Sequence, residues 1–233
     1  MNKEKFINEL KKININITAE QLNNLDIYYN LLIEENKKYN LTSITDIDQV
    51  YLKHFYDSLT ITKIINLSNQ ELCDIGTGAG FPGIVLKIMF PNLKLTLVES
   101  NTKKCKFLSL VVNKLNLKNV NIINERAEIY SKNVREKYDI VTSRAVAPLK
   151  HLLEYSIPLV KVDGNYIAMK SNIDNEIDGI TKYYKELSIK ELKKIEFTLP
   201  IENSKRTLIL YTKENITNPK YPRKYSDIKK KSL

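Results

Sequence analysis

Glu71-Leu72-Cys73-Asp74-Ile75-Gly76-Thr77-Gly78-Ala79-Gly80-Phe81-Pro82-Gly83 is the stretch that decides the fold. A short apolar run enters it, with Asp74 near the end of that run. Three glycines follow at alternate positions, and Phe81-Pro82 then opens the apolar segment Ile84 to Phe90. The order reads as strand, tight turn, helix. Proline suits a first helical turn, because its fixed φ fits and its missing N–H would have had no partner there. Glycines reach positive φ freely and let a ligand lie against bare backbone. Unpaired N–H groups at the start of the helix face that ligand.

Working outward from the turn, the two flanks differ in texture. No glycine precedes Gly76. Phe6, Ile7 and Leu10 make one helical face, and Leu22, Leu25, Tyr28, Tyr29, Leu32 and Ile33 recur at helical spacing in a second. Thr18-x-x-Gln21 is a capping box ahead of that second helix. A third helix is expected from about Asp46 to Leu67. After Glu71, β-rich runs alternate with helical ones. Strands are expected at Leu93–Val98, Val120–Asn124, Tyr138–Thr142 and Asn165–Met169, with Asp163-Gly164 as a turn. Helices are expected at Thr102–Leu115, Leu149–Leu159 and Asn172–Glu186. Leu192–Leu199 and Arg206–Lys213 close the chain as two strands with no helix between them. Strand–helix alternation implies parallel pairing, and the last two strands imply an antiparallel pair at one edge. The expected fold class is α/β, a mostly parallel seven-strand sheet with a helical N-terminal extension. Residues 1–66 are read as a helical subdomain packed on the core, 67–214 as the core, and 215–233 as a basic tail.

Composition narrows the partners. The 233-residue chain carries 37 Lys+Arg against 27 Asp+Glu, a formal charge of +10. That excess favours a polyanion. Lys220, Arg223, Lys224, Lys229, Lys230 and Lys231 crowd the tail with Tyr221, Pro222 and Tyr225 among them, a composition suited to phosphates and bases. No apolar run approaches the roughly 20 residues of a membrane span, and no signal-type segment opens the chain. Cys73 and Cys105 form no disulfide framework, and two histidines, His54 and His151, make a metal site improbable. The expectation is a cytoplasmic monomer without a metal.

The ligand follows from spacing. Gly78-x-Gly80-x-x-Gly83 matches a dinucleotide fingerprint, but there the first glycine should follow the strand directly. Gly76 does that, and counting from it the third position is Phe81. No Gly-Lys-Ser/Thr follows, which excludes a Walker A loop. Asp74-x-Gly76-x-Gly78-x-Gly80 has instead the form of an S-adenosylmethionine loop, whose acid takes up an ammonium end directly or through water. In an open α/β sheet the ligand lies beyond the carboxyl ends of the strands. Glu99, at such an end about twenty residues past the turn, is placed to accept from ribose hydroxyls. Ala127 is small enough for a base to approach, and its backbone with Glu128 can read an adenine edge. Arg144, in Ser143-Arg144-Ala145-Val146-Ala147-Pro148, can hold a carboxylate, a phosphate or a base edge.

With these residues placed, the chain resembles the RsmG (GidB) family of bacterial small-subunit ribosomal RNA methyltransferases over nearly its whole length. The resemblance rests on His54-Phe55-Tyr56-Asp57-Ser58-Leu59, the Asp74–Gly83 loop, Arg126-Ala127-Glu128, Ser143–Pro148, Ala168-Met169-Lys170 and Tyr221-Pro222-Arg223-Lys224. It implies a Rossmann-like class I fold and methyl transfer from S-adenosylmethionine to N7 of guanine 527 in 16S ribosomal RNA of the small subunit. It also implies cofactor contacts from Gly76, Phe81, Ala127, Glu128 and Arg144. Glu99 stands where the family usually has aspartate. After Lys224 the family usually continues with Gly and Pro, whereas this chain has Tyr225-Ser226-Asp227. Guanine N7 carries a lone pair and no proton, so no catalytic base is required or assigned. Arg144 and Lys170 are the candidates for orienting the guanine. His54 and Asp57, three apart on one helical face, are read as a structural contact or an RNA contact. An Asn/Asp-Pro-Pro-aromatic motif for adenine amino groups is absent after the fourth strand, and neither cysteine is placed for attack on cytosine. A nicotinamide-dependent reductase is the competing class, disfavoured by the early Gly76 and the lack of a Tyr-x-x-x-Lys pair.

Overall fold

The computed structural model describes residues 1–230; Lys231, read above as part of the basic tail, lies outside the described residues. The chain opens with α1 (Lys3–Lys12) and α2 (Ala19–Tyr39). At the start of α2 Thr18 accepts from the Gln21 N–H while the Gln21 side chain accepts from the Thr18 N–H, the reciprocal capping expected from sequence. The third helical stretch is continuous to Lys63 but changes pitch three times. It comprises α3 (Ile47–Val50), a π-helical segment (Tyr51–Tyr56), α4 (Asp57–Leu59) and a 3₁₀ turn (Thr60–Lys63). Wide π turns are rare and gather at functional sites; this one carries His54.

Among the described residues the sheet contains seven strands in the order β3-β2-β1-β4-β5-β7-β6. Its elements alternate as β1 (Glu71–Ile75), α5 (Gly83–Met89), β2 (Lys94–Glu99), α6 (Thr102–Lys114), β3 (Val120–Asn124), α7 (Ala127–Asn133), β4 (Tyr138–Arg144), α8 (Leu149–Ser156), β5 (Val160–Lys170), α9 (Ile180–Leu187), β6 (Ile189–Thr198) and β7 (Lys205–Lys213). The first five strands run parallel; β7 is antiparallel to both β5 and β6. A final helix, α10 (Tyr225–Lys230), ends the described chain. Edge strand β6 displays Lys190, Lys193 and Lys194 to solvent, charges that discourage pairing with another chain.

Alternation along the strands divides the core into two layers. Leu72, Leu95, Leu97, Leu208 and Leu210 face one way, into a cluster with Phe6, Leu10, Tyr28, Phe55, Ile84 and Phe107. Cys73, Ile75, Val98, Ile209 and Tyr211 face the other, against Leu152, Leu153, Tyr183 and Tyr221. The N-terminal helices therefore share their apolar cluster with one sheet face. Both cysteines are free and buried.

Two expectations differ from the structure. Asp163-Gly164 lies inside β5 rather than between elements. Asp163 has φ +64°, and a Cβ at Gly164 would meet carbonyl oxygens of Lys161 and Asp139 at 2.9 and 3.0 Å. The pair forms a bulge where the β4–β5 register shifts. The helix expected from Asn172 starts only at Ile180, after Gly179 at φ +68°.

Candidate active site

The turn after β1 is held from behind by a buried carboxyl. Asp74 Oδ2 accepts from the Thr77 hydroxyl (2.6 Å) and the Gly83 N–H (2.8 Å), stapling both ends of the turn. Its other oxygen, Oδ1, is buried and has no partner among the described residues. Burial pushes the Asp74 carboxyl up to about 7, against the pull of those two hydrogen bonds. Gly76, Gly78 and Gly80 all take positive φ. A Cβ at Gly80 would meet the Tyr28 hydroxyl and Ile84 at 2.6 Å, whereas one at Gly78 would enter open space. The Tyr28 hydroxyl donates to the Ala79 carbonyl. So the alternating glycines serve different needs, Gly80 for packing and Gly78 for the opening in front.

That opening is a cavity of about 720 Å³ at the carboxyl ends of β1, β2 and β4, within the usual range of ligand sites. Gly76, Gly78, Phe81, Glu99, Ala127, Glu128, Arg144 and Lys170 line it. Asp74 and Gly80 do not. Asp74 and Gly80, expected from sequence among the cofactor contacts, stand behind the loop: Asp74 is wholly enclosed and Gly80 faces Tyr28. Glu99 spans the front of the turn. Its Oε2 accepts from Gly78 N–H (3.0 Å) and its Oε1 from Asn101 N–H (2.8 Å).

The opposite wall is ionic. Arg144 donates through Nη1 to the Lys53 carbonyl (2.9 Å) and to Asp57 Oδ2 (3.2 Å). Arg206, at the start of β7, donates to the other Asp57 oxygen at 2.9 Å. Asp57 is thus bracketed by two guanidiniums contributed by distant strands. Arg144 Nη2 approaches His54 Nδ1 at 3.4 Å, and His54 Nε2 lies 2.9 Å from the Thr42 hydroxyl. Guanidinium only donates, so Nδ1 accepts and the ring is neutral with its proton on Nε2. Burial, with the Arg144 charge added, lowers the His54 pKa to about 3. The ring stacks on Phe81, centroids 4.3 Å apart. Arg144 stands 5.3 Å from the same ring. His54 and Asp57 therefore meet through Arg144. Lys170 donates to the Ala147 carbonyl (2.9 Å) and pairs with Glu176 (2.8 Å), fixing the loop after β4.

The third side comes from the start of α7 and the chain's end. Arg126 pairs with Glu128 and lies over the Tyr225 ring, 4.3 Å from its centroid. The tail is more anchored than its composition suggested. Arg223 grips the enclosed Glu154 carboxylate, Tyr221 is buried, and Lys220 pairs with Glu186. Lys224, Lys229 and Lys230 stay exposed. Sequence reasoning missed Arg206 and placed Tyr225 only in the tail. A basic residue opening a strand and an aromatic in a tail carry no local mark of a pocket.

The model of the family described as rRNA small subunit methyltransferase G matches residues 21–208. This chain belongs to that family. It is 47% identical over 222 residues to the Ribosomal RNA small subunit methyltransferase G of Mycoplasma capricolum, covering 94% of each chain. To the protein of the same name from Bacillus cereus it is 46% identical over 228 residues, covering 96% of this chain and 95% of that one. Among solved structures, a SAM-dependent methyltransferase from Aquifex aeolicus superposes with TM-score 0.53 at 14% identity, over 77% of this chain and 97% of that one. TYW2 from M. jannaschii, solved in complex with AdoMet, gives TM-score 0.54 at 15% identity, over 66% of this chain and 74% of that one. At those identities the structures establish the fold, a class I Rossmann-like methyltransferase sheet, and the sequence relatives establish the family. Among the described residues no helix is long and apolar enough to cross a membrane.

Proposed function

We propose that this chain transfers the methyl group of S-adenosylmethionine to N7 of guanine 527 in 16S ribosomal RNA of the small subunit. The observation that carries the reading is the convergence of the glycine turn, Glu99, Ala127 and Arg144 on one cavity. The residues suit the cofactor. Gly78 leaves space that any side chain would fill, and the orphaned Asp74 Oδ1 leaves an acceptor behind the turn that suits a water bridging to an ammonium. Gly76, Gly78 and Phe81 would hold its amino-acid end, Glu99 its ribose, Ala127 and Glu128 its base. When bound, it supplies an electrophilic methyl group on a sulfonium.

The chain's own groups then orient the guanine and exclude water. Arg144, Arg206 and Lys170 offer fixed donors for the O6 edge or a flanking phosphate. Phe81 is backed by Tyr28 at 5.4 Å and forms a rigid floor. Neutral His54 cannot act as an acid in the physiological range, and N7 has no proton to lose, so rate enhancement comes from alignment. A guanine in folded RNA must first be unstacked or presented. The charge of +10 favours holding the surrounding phosphates.

The test incubates the protein with tritiated S-adenosylmethionine and small subunits, or their RNA, from cells lacking the gene. Label on one guanine, with strand scission at N7 after reduction and aniline, is the expected outcome. Label on another base refutes the target. Retained cofactor binding without label on either substrate sends the assay to assembly intermediates, and failure there refutes the transfer. Arg144→Ala should abolish most turnover while the cofactor still raises the melting temperature.

A further inference from the structure

The end of the chain folds back onto the cavity and supplies part of its wall. The segment after β7 is clamped at four places. Arg135, just beyond α7, donates to the carbonyls of Thr217 (2.7 Å) and Tyr221 (2.8 Å). The Tyr221 hydroxyl donates to Glu186 at 2.6 Å. Arg223 uses its backbone N–H and its guanidinium on Glu154, a carboxylate with no solvent exposure. Ile228 of α10 is buried in the apolar layer beneath α7, α8 and α9. The exposed residues between the anchors Arg223 and Ile228 are thereby kept at the cavity's edge. One of them, Tyr225, lines the cavity, with Arg126 against its ring and the Lys229 ammonium 5.5 Å from its centroid.

The place of Tyr225 along the cavity follows from the sheet. Strands β1, β2 and β3 are neighbours, and their carboxyl ends carry in turn the glycine turn, Glu99 and the Arg126–Glu128 segment. The first takes a charged amino-acid end, the second a ribose, the third a base. Tyr225 stands with the third, and Arg144 and Arg206 stand on the other side. From this we infer that Tyr225 is a positioning residue for the purine of the cofactor: with Arg126 it forms a wall of the base end, contributed by the C-terminal helix. The inference rests on the proposed S-adenosylmethionine site. A flat ring backed by a guanidinium suits a purine face, and the Arg126–Glu128 pair keeps that guanidinium in place.

The chain has no tryptophan, so Tyr225→Trp puts a lone indole reporter at the base end. Titration with S-adenosylmethionine should change its emission with the dissociation constant that calorimetry gives. Tyr225→Ala should weaken S-adenosylmethionine and 5′-methylthioadenosine by the same factor, about five- to tenfold, and Tyr225→Phe should restore both. A purely structural role would lower the melting temperature of the free Tyr225→Ala chain, which the positioning role leaves unchanged. Unchanged emission on saturation, or an unchanged dissociation constant in Tyr225→Ala, overturns the inference while leaving the cofactor site intact. A loss confined to S-adenosylmethionine overturns it as well, by moving Tyr225 to the other end. Absence of calorimetric binding to the wild-type chain refutes the cofactor reading itself.

Discussion

The two main walls of the cavity are built on different principles. The glycine-turn wall is made by backbone and packing: a solvent-excluded carboxyl held by a hydroxyl and a backbone N–H, glycines in the left-handed region, and aromatic rings stacked behind. The opposite wall is made by charge: Asp57 between Arg144 and Arg206, with a neutral histidine at its flank. The first is shaped largely within the turn itself, with Tyr28 brought in from 51 positions away, the second by groups up to 149 positions apart. Damage to the first wall should thus appear as lost shape and damage to the second as unpaired charge.

Gly80→Ala is the strongest break of the packed wall. The new Cβ would sit 2.6 Å from Tyr28 and Ile84 with φ at +103°. Backbone strain of about 1–2 kcal/mol joins overpacking of about 1–3 kcal/mol, so denaturant unfolding should show a loss of roughly 4 kcal/mol. Gly78→Ala separates shape from stability. Its Cβ has room, so it should cost only about 1 kcal/mol of folding free energy yet reduce S-adenosylmethionine affinity more than tenfold by calorimetry. Equal destabilisation of the two variants would show that the glycines serve one purpose.

On the charged wall, Asp57→Ala leaves two guanidiniums facing each other. Removing one partner of a buried pair costs about 3–5 kcal/mol; both arginines keep a little solvent contact, so the lower end, about 3 kcal/mol, is expected. Arg206→Gln should cost less, about 1 kcal/mol, because Asp57 retains Arg144. It should still depress methyl transfer at saturating cofactor, since its guanidinium lines the cavity. Full turnover in Arg206→Gln would confine the residue to a structural role.

The contrast also explains what the sequence made legible. The β1–turn–α5 unit, the strand–helix alternation, the Thr18 capping box and the strand-end residues Glu99 and Arg144 follow local periodicity and fixed spacing, which short stretches encode. The bracket around Asp57 does not. It exists because β7 returns antiparallel beside β5 and sets Arg206 near Arg144, a juxtaposition with no local trace. The tail misled for a related reason: Arg223 and Tyr221 look like solvated basic and aromatic residues until Glu154 and Glu186 are seen opposite them. Asp163-Gly164 has turn chemistry, but the same positive φ serves a bulge inside a strand.

The smallest effects are the most diagnostic, because the two walls respond to acid with opposite sign. Asp74 binds its proton more tightly when folded, about 7 against an ordinary 3.8. Its contribution to stability is therefore full below about pH 4 and falls away as pH rises to about 7. His54 binds its proton less tightly when folded, about 3 against 6.5. Its contribution is full above about pH 6.5 and is lost as pH falls towards 3. Between about pH 4 and 6.5 the two oppose each other, and the wild-type curve conceals both. Asp74→Asn keeps a carbonyl for Thr77 and Gly83 and removes the first response, so its stability should drop more steeply than wild type on acidification. His54→Gln removes the second and should drop less steeply, or rise. Urea midpoints taken at half-unit intervals would measure both slopes, and the remaining carboxylates cancel in each difference from wild type. Curves parallel to wild type would mean that water reaches Asp74 and His54 freely, and the packed and charged walls would then share one dielectric environment.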